Sequence, residues 1–162
     1  MDAYAGLVRA SEGAARRLAF LLCGAVDGDD AVQEAIVKGW YALPRYRGDS
    51  SFRTWLLRIV ANEAHNRRRS TTRRSVRELR VHEESAVDSP ESAALVADQR
   101  RRVAAAVDAL PDKLRDVVAC RHLLELSEAE TAAVLGVPAG TVKSRLSRGL
   151  EQLRAVLEVS DD

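Results

Sequence analysis

Wherever apolar residues recur regularly in this chain they do so at steps of three and four, the period of an α-helix rather than the alternation of a strand. Val142, Leu146, Leu150, Leu153 and Leu157 form one such stripe near the end. Phe52, Trp55, Leu56, Ile59 and Val60, at i, i+3, i+4, i+7 and i+8, form another, with the GDSS of 48–51 as its cap. Ahead of it, Val32, Ile36, Trp40 and Leu43 predict a buried stripe on a helix that starts near Asp29 or Asp30 and stops at Pro44. Leu18, Leu21 and Leu22 predict a first helix over about 14–23, with a break marked by Gly24 and the GDD of 28–30. Residues 70–92 show no sustained period and are rich in serine and charge, which predicts a linker. Periodicity resumes at Val103, Val107 and Leu110, stops at Pro111, and resumes at Leu114, Val117 and Val118. The expectation is an all-α protein of two small helical domains, 1–70 and 95–162, joined by a flexible linker over 71–94. About four helices fall in the second domain.

The stretch LSEAETAAVLGVPAGTVKSRLSRGLEQL, residues 126–153, predicts a helix-turn-helix. Ser127 with Glu130 three residues on has the form of a capping box. Gly136 suits the left-handed end of the first helix, and Pro138 suits the first turn of the next. On the second helix Thr141, Ser144, Ser147 and Arg148 point away from the apolar stripe, with Lys143 and Arg145 on its flanks. Between Val137 and Leu150 there are three basic residues and no acidic one. Such a helix offers the major groove donors for phosphates and guanine edges, and no carboxylate facing the backbone.

Charge distribution strengthens the case for a polyanionic partner. The net charge of +1 conceals 15 basic and 9 acidic residues through position 80, against 10 and 15 beyond it. Residues 67–80 alone hold seven arginines and one glutamate. The helix starting at Phe52 begins as core and ends as Asn62, His65, Asn66, Arg67, Arg68 and Arg69, residues suited to base edges and phosphates. Aromatic residues make up 4% and charged residues 30%, which fits leucine, alanine and valine packing between helices. No apolar run approaches the roughly 18 residues of a membrane span, and MDAYAGLVRASEG lacks the apolar core of a secretory signal. Cys23 and Cys120 stand apart without zinc spacing, Cys23 reading as a small core hydrophobe, and a cytoplasmic, reduced setting follows.

Three stretches resemble the bacterial extracytoplasmic-function (ECF) sigma factors, a sigma-70-like family of promoter-specificity subunits of RNA polymerase. DDAVQEAIVKGW (29–40) resembles the polymerase-docking helix, YRGDSSFRTWLLRIVANEAHNRRR (46–69) the −10 reading and melting helix, and 110–154 the −35 domain. The resemblance implies that Asp30, Gln33 and Glu34 contact the clamp helices of the polymerase largest subunit, while the flap of the core enzyme is a further contact. It implies −10 contacts by Asn62, Asn66, Arg67, Arg68 and Arg69, where Asn66 departs from the Asp that many members carry. It implies −35 contacts by Thr141, Lys143, Ser144, Arg145, Ser147 and Arg148, shared between bases and phosphates. A cognate anti-sigma factor is implied as a regulator and as the only link to a membrane. Neither an enzymatic activity, a small-molecule substrate, a cofactor nor a metal is expected.

Two other readings compete with this one. A stand-alone helix-turn-helix regulator, with an N-terminal ligand or dimerisation domain, explains 126–153 equally well but not why an apolar helix runs directly into Asn and Arg. An enzyme is disfavoured: His65, His82 and His122 fall in three segments, Cys120 and His122 face different sides of a helix, and no phosphate-binding glycine loop is present. The RGD of 47–49 reads as a helix entry turn.

Overall fold

A computed structural model describes residues 2–75 and 91–159. Apart from a 3-10 turn at Leu43–Arg45 and a short π-helical segment, the regular elements among them are α1 (Asp2–Ala42), α2 (Phe52–Ser75), α3 (Glu91–Asp108), α4 (Asp112–Val118), α5 (Glu128–Leu135) and α6 (Ala139–Val159). The expected linker begins inside α2 and ends inside α3, and its middle, 76–90, lies outside the described residues.

The first helix is longer than its leucines predict. It starts at Asp2 rather than near 14, because Tyr4, Val8, Ser11, Ala14 and Ala15 bury a face whose small and polar members give little hydropathy signal. Gly24 is the break, with φ 85° and ψ 174°, so α1 is two helices meeting there. The GDD of 28–30 lies inside the second half instead of interrupting it. Gly28 is buried where the second half passes back over the first: a Cβ there would stand 3.2 Å from the Phe20 amide nitrogen and 3.3 Å from the Ala19 carbonyl carbon.

The stripe expected on the second half is also shifted. Trp40 is 41% exposed, and the buried face is Ala31, Val32, Ala35 and Gly39. Small residues let the backbones approach closely; at Gly39 a Cβ would meet the Tyr4 hydroxyl at 2.7 Å, and that hydroxyl donates to the Ile36 carbonyl at 2.6 Å. Trp40 instead sets its ring against Tyr4, 5.3 Å between centroids.

At the start of α2 the expected cap is present, the Ser51 hydroxyl accepting from the Thr54 amide at 3.1 Å. Leu56 and Val60 are fully buried. So are Leu57, Ala61 and Ala64, which lie off the expected stripe. Their burial comes from a core that runs from Leu18, Leu22 and Val32 through Leu57, Val60 and Ala64 to Cys120, Leu124, Leu126 and Val134. The two lobes therefore share one apolar core, in which a fully buried Leu or Val is worth roughly 1.5–3 kcal/mol.

In the second lobe, Leu110, Leu114 and Val118 pack against Leu146 and Leu153 of α6. The α4–α6 crossing depends on Gly149, where a Cβ would meet Val118 Cγ2 at 2.9 Å. Val103, expected on the buried face of α3, is 39% exposed, while Val107 and Leu110 are buried. The π-helical segment at Ala119–Leu123 ends α4, with the Leu124 amide donating to the Ala119 carbonyl at 3.0 Å. Glu125 follows with φ 55° and closes the turn.

Candidate nucleic-acid interface

The helix-turn-helix is fixed by local backbone chemistry. Ser127 Oγ accepts from the Glu130 amide at 3.1 Å, and Glu130 Oε2 accepts from the Ser127 amide at 2.8 Å, which completes the capping box. The backbone bond from Ser127 holds the Glu130 carboxyl below its ordinary range. Gly136 takes the left-handed conformation, φ 65° and ψ 37°, and its amide donates to the Ala132 carbonyl. Helix α6 starts directly after Pro138.

Held this way, α6 buries Val142 and presents its other face outward. Lys143, Ser144, Ser147 and Arg148 are exposed, and Thr141 and Arg145 are half-buried. Arg148 Nε donates to the Ser144 carbonyl at 3.3 Å and Lys143 lies 3.8 Å from Glu128, so neither cation is held by a buried partner. The face is a row of donors and short hydroxyls, as recognition of a groove requires.

On α2, Asn62, Asn66 and Arg69 are exposed at steps of four and three and share one face. Arg58 continues that face one turn earlier, a residue that the apolar period hid. It also lines a small cavity, about 190 Å³, with Arg45, Arg47, Tyr46, Trp55 and Ala133. Arg67 and Arg68 are less free. Arg67 lies 3.4 Å from Asp30, and Arg68 donates to the Leu22 carbonyl at 2.8 Å and pairs with Asp112 of α4 at 3.2 Å. Two residues before Arg67, His65 Nε2 lies 2.7 Å from Asp116 Oδ2.

Asp30, Gln33 and Glu34 are exposed on the second half of α1. Glu34 lies 3.6 Å from Lys38, which reaches the less exposed Glu63 at 2.8 Å; the bond to Glu63 raises the pKa of the ammonium. Val37 and Tyr41, 53% and 77% exposed, extend the same face by two turns. Sequence periodicity could have found them, since both fall off the buried stripe, but an exposed apolar residue alone carries little signal.

The thiols take no part in these surfaces. Burial pushes Cys120 up to about 12 and Cys23 up to about 11, so both are protonated near neutrality and lack the reactive thiolate. Cys23 packs against the shared core, as a small hydrophobe does.

Known proteins carry the same arrangement. Residues 5–74 match the family model for Sigma-70 region 2, and 100–153 match that for Sigma-70, region 4. The chain is 36% identical over 137 residues to the ECF RNA polymerase sigma-E factor of Escherichia coli, a match that covers 78% of this chain and 72% of that protein. It is 33% identical over the same length to the sigma-E factor of Haemophilus influenzae. Among solved structures, CnrH in complex with the cytosolic domain of CnrY superposes with a TM-score of 0.70 at 28% identity, covering 98% of this chain and 89% of that one. The Bartonella quintana sigma factor RpoE, solved with the anti-sigma factor NepR, shares the fold with a TM-score of 0.76 at 24% identity over 98% and 99% of the two chains. With matches to both regions, in order and over most of its length, the chain belongs to the ECF RNA polymerase sigma factors.

Proposed function

We propose that α1 docks this sigma factor on core RNA polymerase while α2 and α6 hold the −10 and −35 elements of one promoter. The observation that carries the reading is α6 itself: a capped, glycine-terminated turn holds its apolar stripe inward and leaves Lys143, Ser144, Ser147 and Arg148 outward. Together with Thr141 and Arg145 these are the residues assigned to −35 recognition. Asn62, Asn66 and Arg69, joined by Arg67 and Arg68, are assigned to the −10 element. Opening a duplex costs about 1.4 kcal/mol of stacking per step, which capture of extruded bases and contacts to phosphates offset. No ATP is needed for such an exchange.

Asp30, Gln33 and Glu34 are assigned to the clamp helices of the polymerase largest subunit, where complementary polar groups set register and speed encounter. Val37 and Tyr41 add apolar area to that contact. The stand-alone regulator accounts for α5 and α6 but leaves this acidic face and the amide-bearing end of α2 without a purpose. Sigma factors are transcription initiation factors and not known enzymes, and the chain is assigned to the cytoplasm with the polymerase.

An anti-sigma factor is a second partner. Phe20, Leu21, Val103, Val107 and Leu123 line an open apolar cavity of about 640 Å³ between the lobes, and three of these side chains are 39–57% exposed. Such a patch suits the apolar face of a partner helix. One structural relative was solved with an anti-sigma factor, and another with the cytosolic domain of CnrY.

The test is reconstitution with core polymerase followed by mapping of transcription start sites, with Asp30→Lys/Glu34→Lys as the docking variant. Start-site choice conferred by the wild type, and core binding weakened in a variant that keeps its helical content, are the expected results. A variant retained in full by core polymerase refutes the docking face.

A further inference from the structure

The end of α2 is covered by carboxylates of the other lobe, on a surface where a nucleic-acid strand needs cations. Asp116, 13% exposed in its side chain, faces His65 at 2.7 Å. One turn earlier on α4, Asp112 lies 3.2 Å from Arg68 and also accepts from Arg115, so a single carboxylate sits between two guanidiniums. Arg115 is only 3% exposed in its side chain and one of its nitrogens, Nε, has no hydrogen-bond partner. Burial first, and then the neighbouring Arg68 charge, lower its pKa. Without Asp112 the two guanidiniums would lose the carboxylate they share, leaving Asp116 and Asp108 as the counter-charges near Arg115.

We propose that Asp112 and Asp116 stand in for promoter phosphates at Arg68 and His65, so that the second lobe competes with the opened DNA strand for the end of α2. A carboxylate and a phosphate offer a guanidinium the same fork of acceptor oxygens. In the closed arrangement Asn62, Asn66 and Arg69 stay accessible, and a strand can engage only part of its footprint until α4 moves aside. His65 becomes a strand-contacting residue, uncovered together with Arg68. This rests on the assignment of α2 to the −10 element.

The experiment uses the full chain and a labelled, mixed-sequence single-stranded DNA of about 12 nucleotides, within the site size of single-strand binders. Asp112→Asn/Asp116→Asn should bind it about two- to fivefold more tightly per released pair at low salt. Freeing the Arg68 contact should also steepen the slope of log affinity against log salt by about 0.7. Both gains should vanish in a His65→Ala/Arg68→Ala background. Asp116→Asn alone leaves the start of α4 intact and should show the smaller part of the gain, so the test survives if the double variant folds poorly. Equal affinity of wild type and the aspartate variants overturns the proposal. The −10 assignment is read separately, from promoter opening by reconstituted polymerase carrying Asn62→Ala/Asn66→Ala. If opening is lost while the aspartate variants match the wild type, the cover is refuted and the −10 assignment stands. If opening is unchanged while the aspartate variants still tighten, the cover stands on α2 as a general strand-binding surface.

Discussion

All seven aromatic residues of the chain lie in its first 55 positions, whereas the second lobe, from α3 onward, has none. Five of them, Tyr4, Trp40, Tyr46, Phe52 and Trp55, form a chain of ring contacts with centroids 5.0–6.2 Å apart. Leu56 is packed with Tyr4 and Val8 against Phe52 and Trp55 of that group. Among the described residues, the second lobe has Leu110, Leu114 and Val118 as its separate buried cluster, and it shares Cys120, Leu124, Leu126 and Val134 with the first. One lobe adds a cluster of large rings to its close glycine approaches. The other holds its helices by caps, glycines and a borrowed core.

That contrast fixes where each lobe breaks. Leu56→Ala empties a fully buried site among large rings and should cost about 2–5 kcal/mol, read as a lower denaturant midpoint for the whole chain. A cost below about 1 kcal/mol would mean that the ring cluster adds little to the first lobe. In the second lobe the sensitive position is a glycine. Gly149→Ala gains up to about 1 kcal/mol of helix propensity but overpacks the α4–α6 crossing against Val118, whose branched side chain is stiff, at about 1–3 kcal/mol. A net loss of stability is expected, and a net gain would show that the crossing is looser than the 2.9 Å approach indicates.

The smallest effect belongs to the capping box. Ser127→Ala should cost about 1 kcal/mol, and the same contact gives the lobe a pH dependence. The Glu130 carboxyl is held below its ordinary 4.5, so its contribution is fully present above that value. It is lost as the pH falls through the lowered value of the folded state. Glu130→Gln should therefore be less stable than the wild type near neutrality, with the difference closing in acid. A difference that persists unchanged at the acid end would assign it to packing and not to charge.

The same contrast decides what could be read in advance. The helix-turn-helix was legible to the residue, because Ser127, Glu130, Gly136 and Pro138 act through their own backbone neighbours. The core end of α2 was equally clear. The start of α1 was not, since Tyr4, Ser11 and Ala14 are buried by packing against distant residues and carry no strong period. Trp40 misled for the reverse reason: its hydrophobicity placed it inside, but close approach at Gly39 leaves room only for small residues. Leu57 and Ala64 are buried by a lobe far along the chain. The pairing of Arg68 with Asp112 spans 44 positions, and no local pattern announces it.

The π-helical segment at Ala119–Leu123 has a consequence for the direction of everything after it. Such a turn takes in one residue more than an α-helical turn, and that residue amounts to about 100° of rotation about the axis. The chain leaving α4 is thereby re-aimed, and Leu124 and Leu126 go into the joint core instead of water. Removing one residue between 119 and 123 would restore an ordinary turn and swing the reading head round by more than a quarter of a circle. The bulge is thus a phase adjuster between scaffold and sensor.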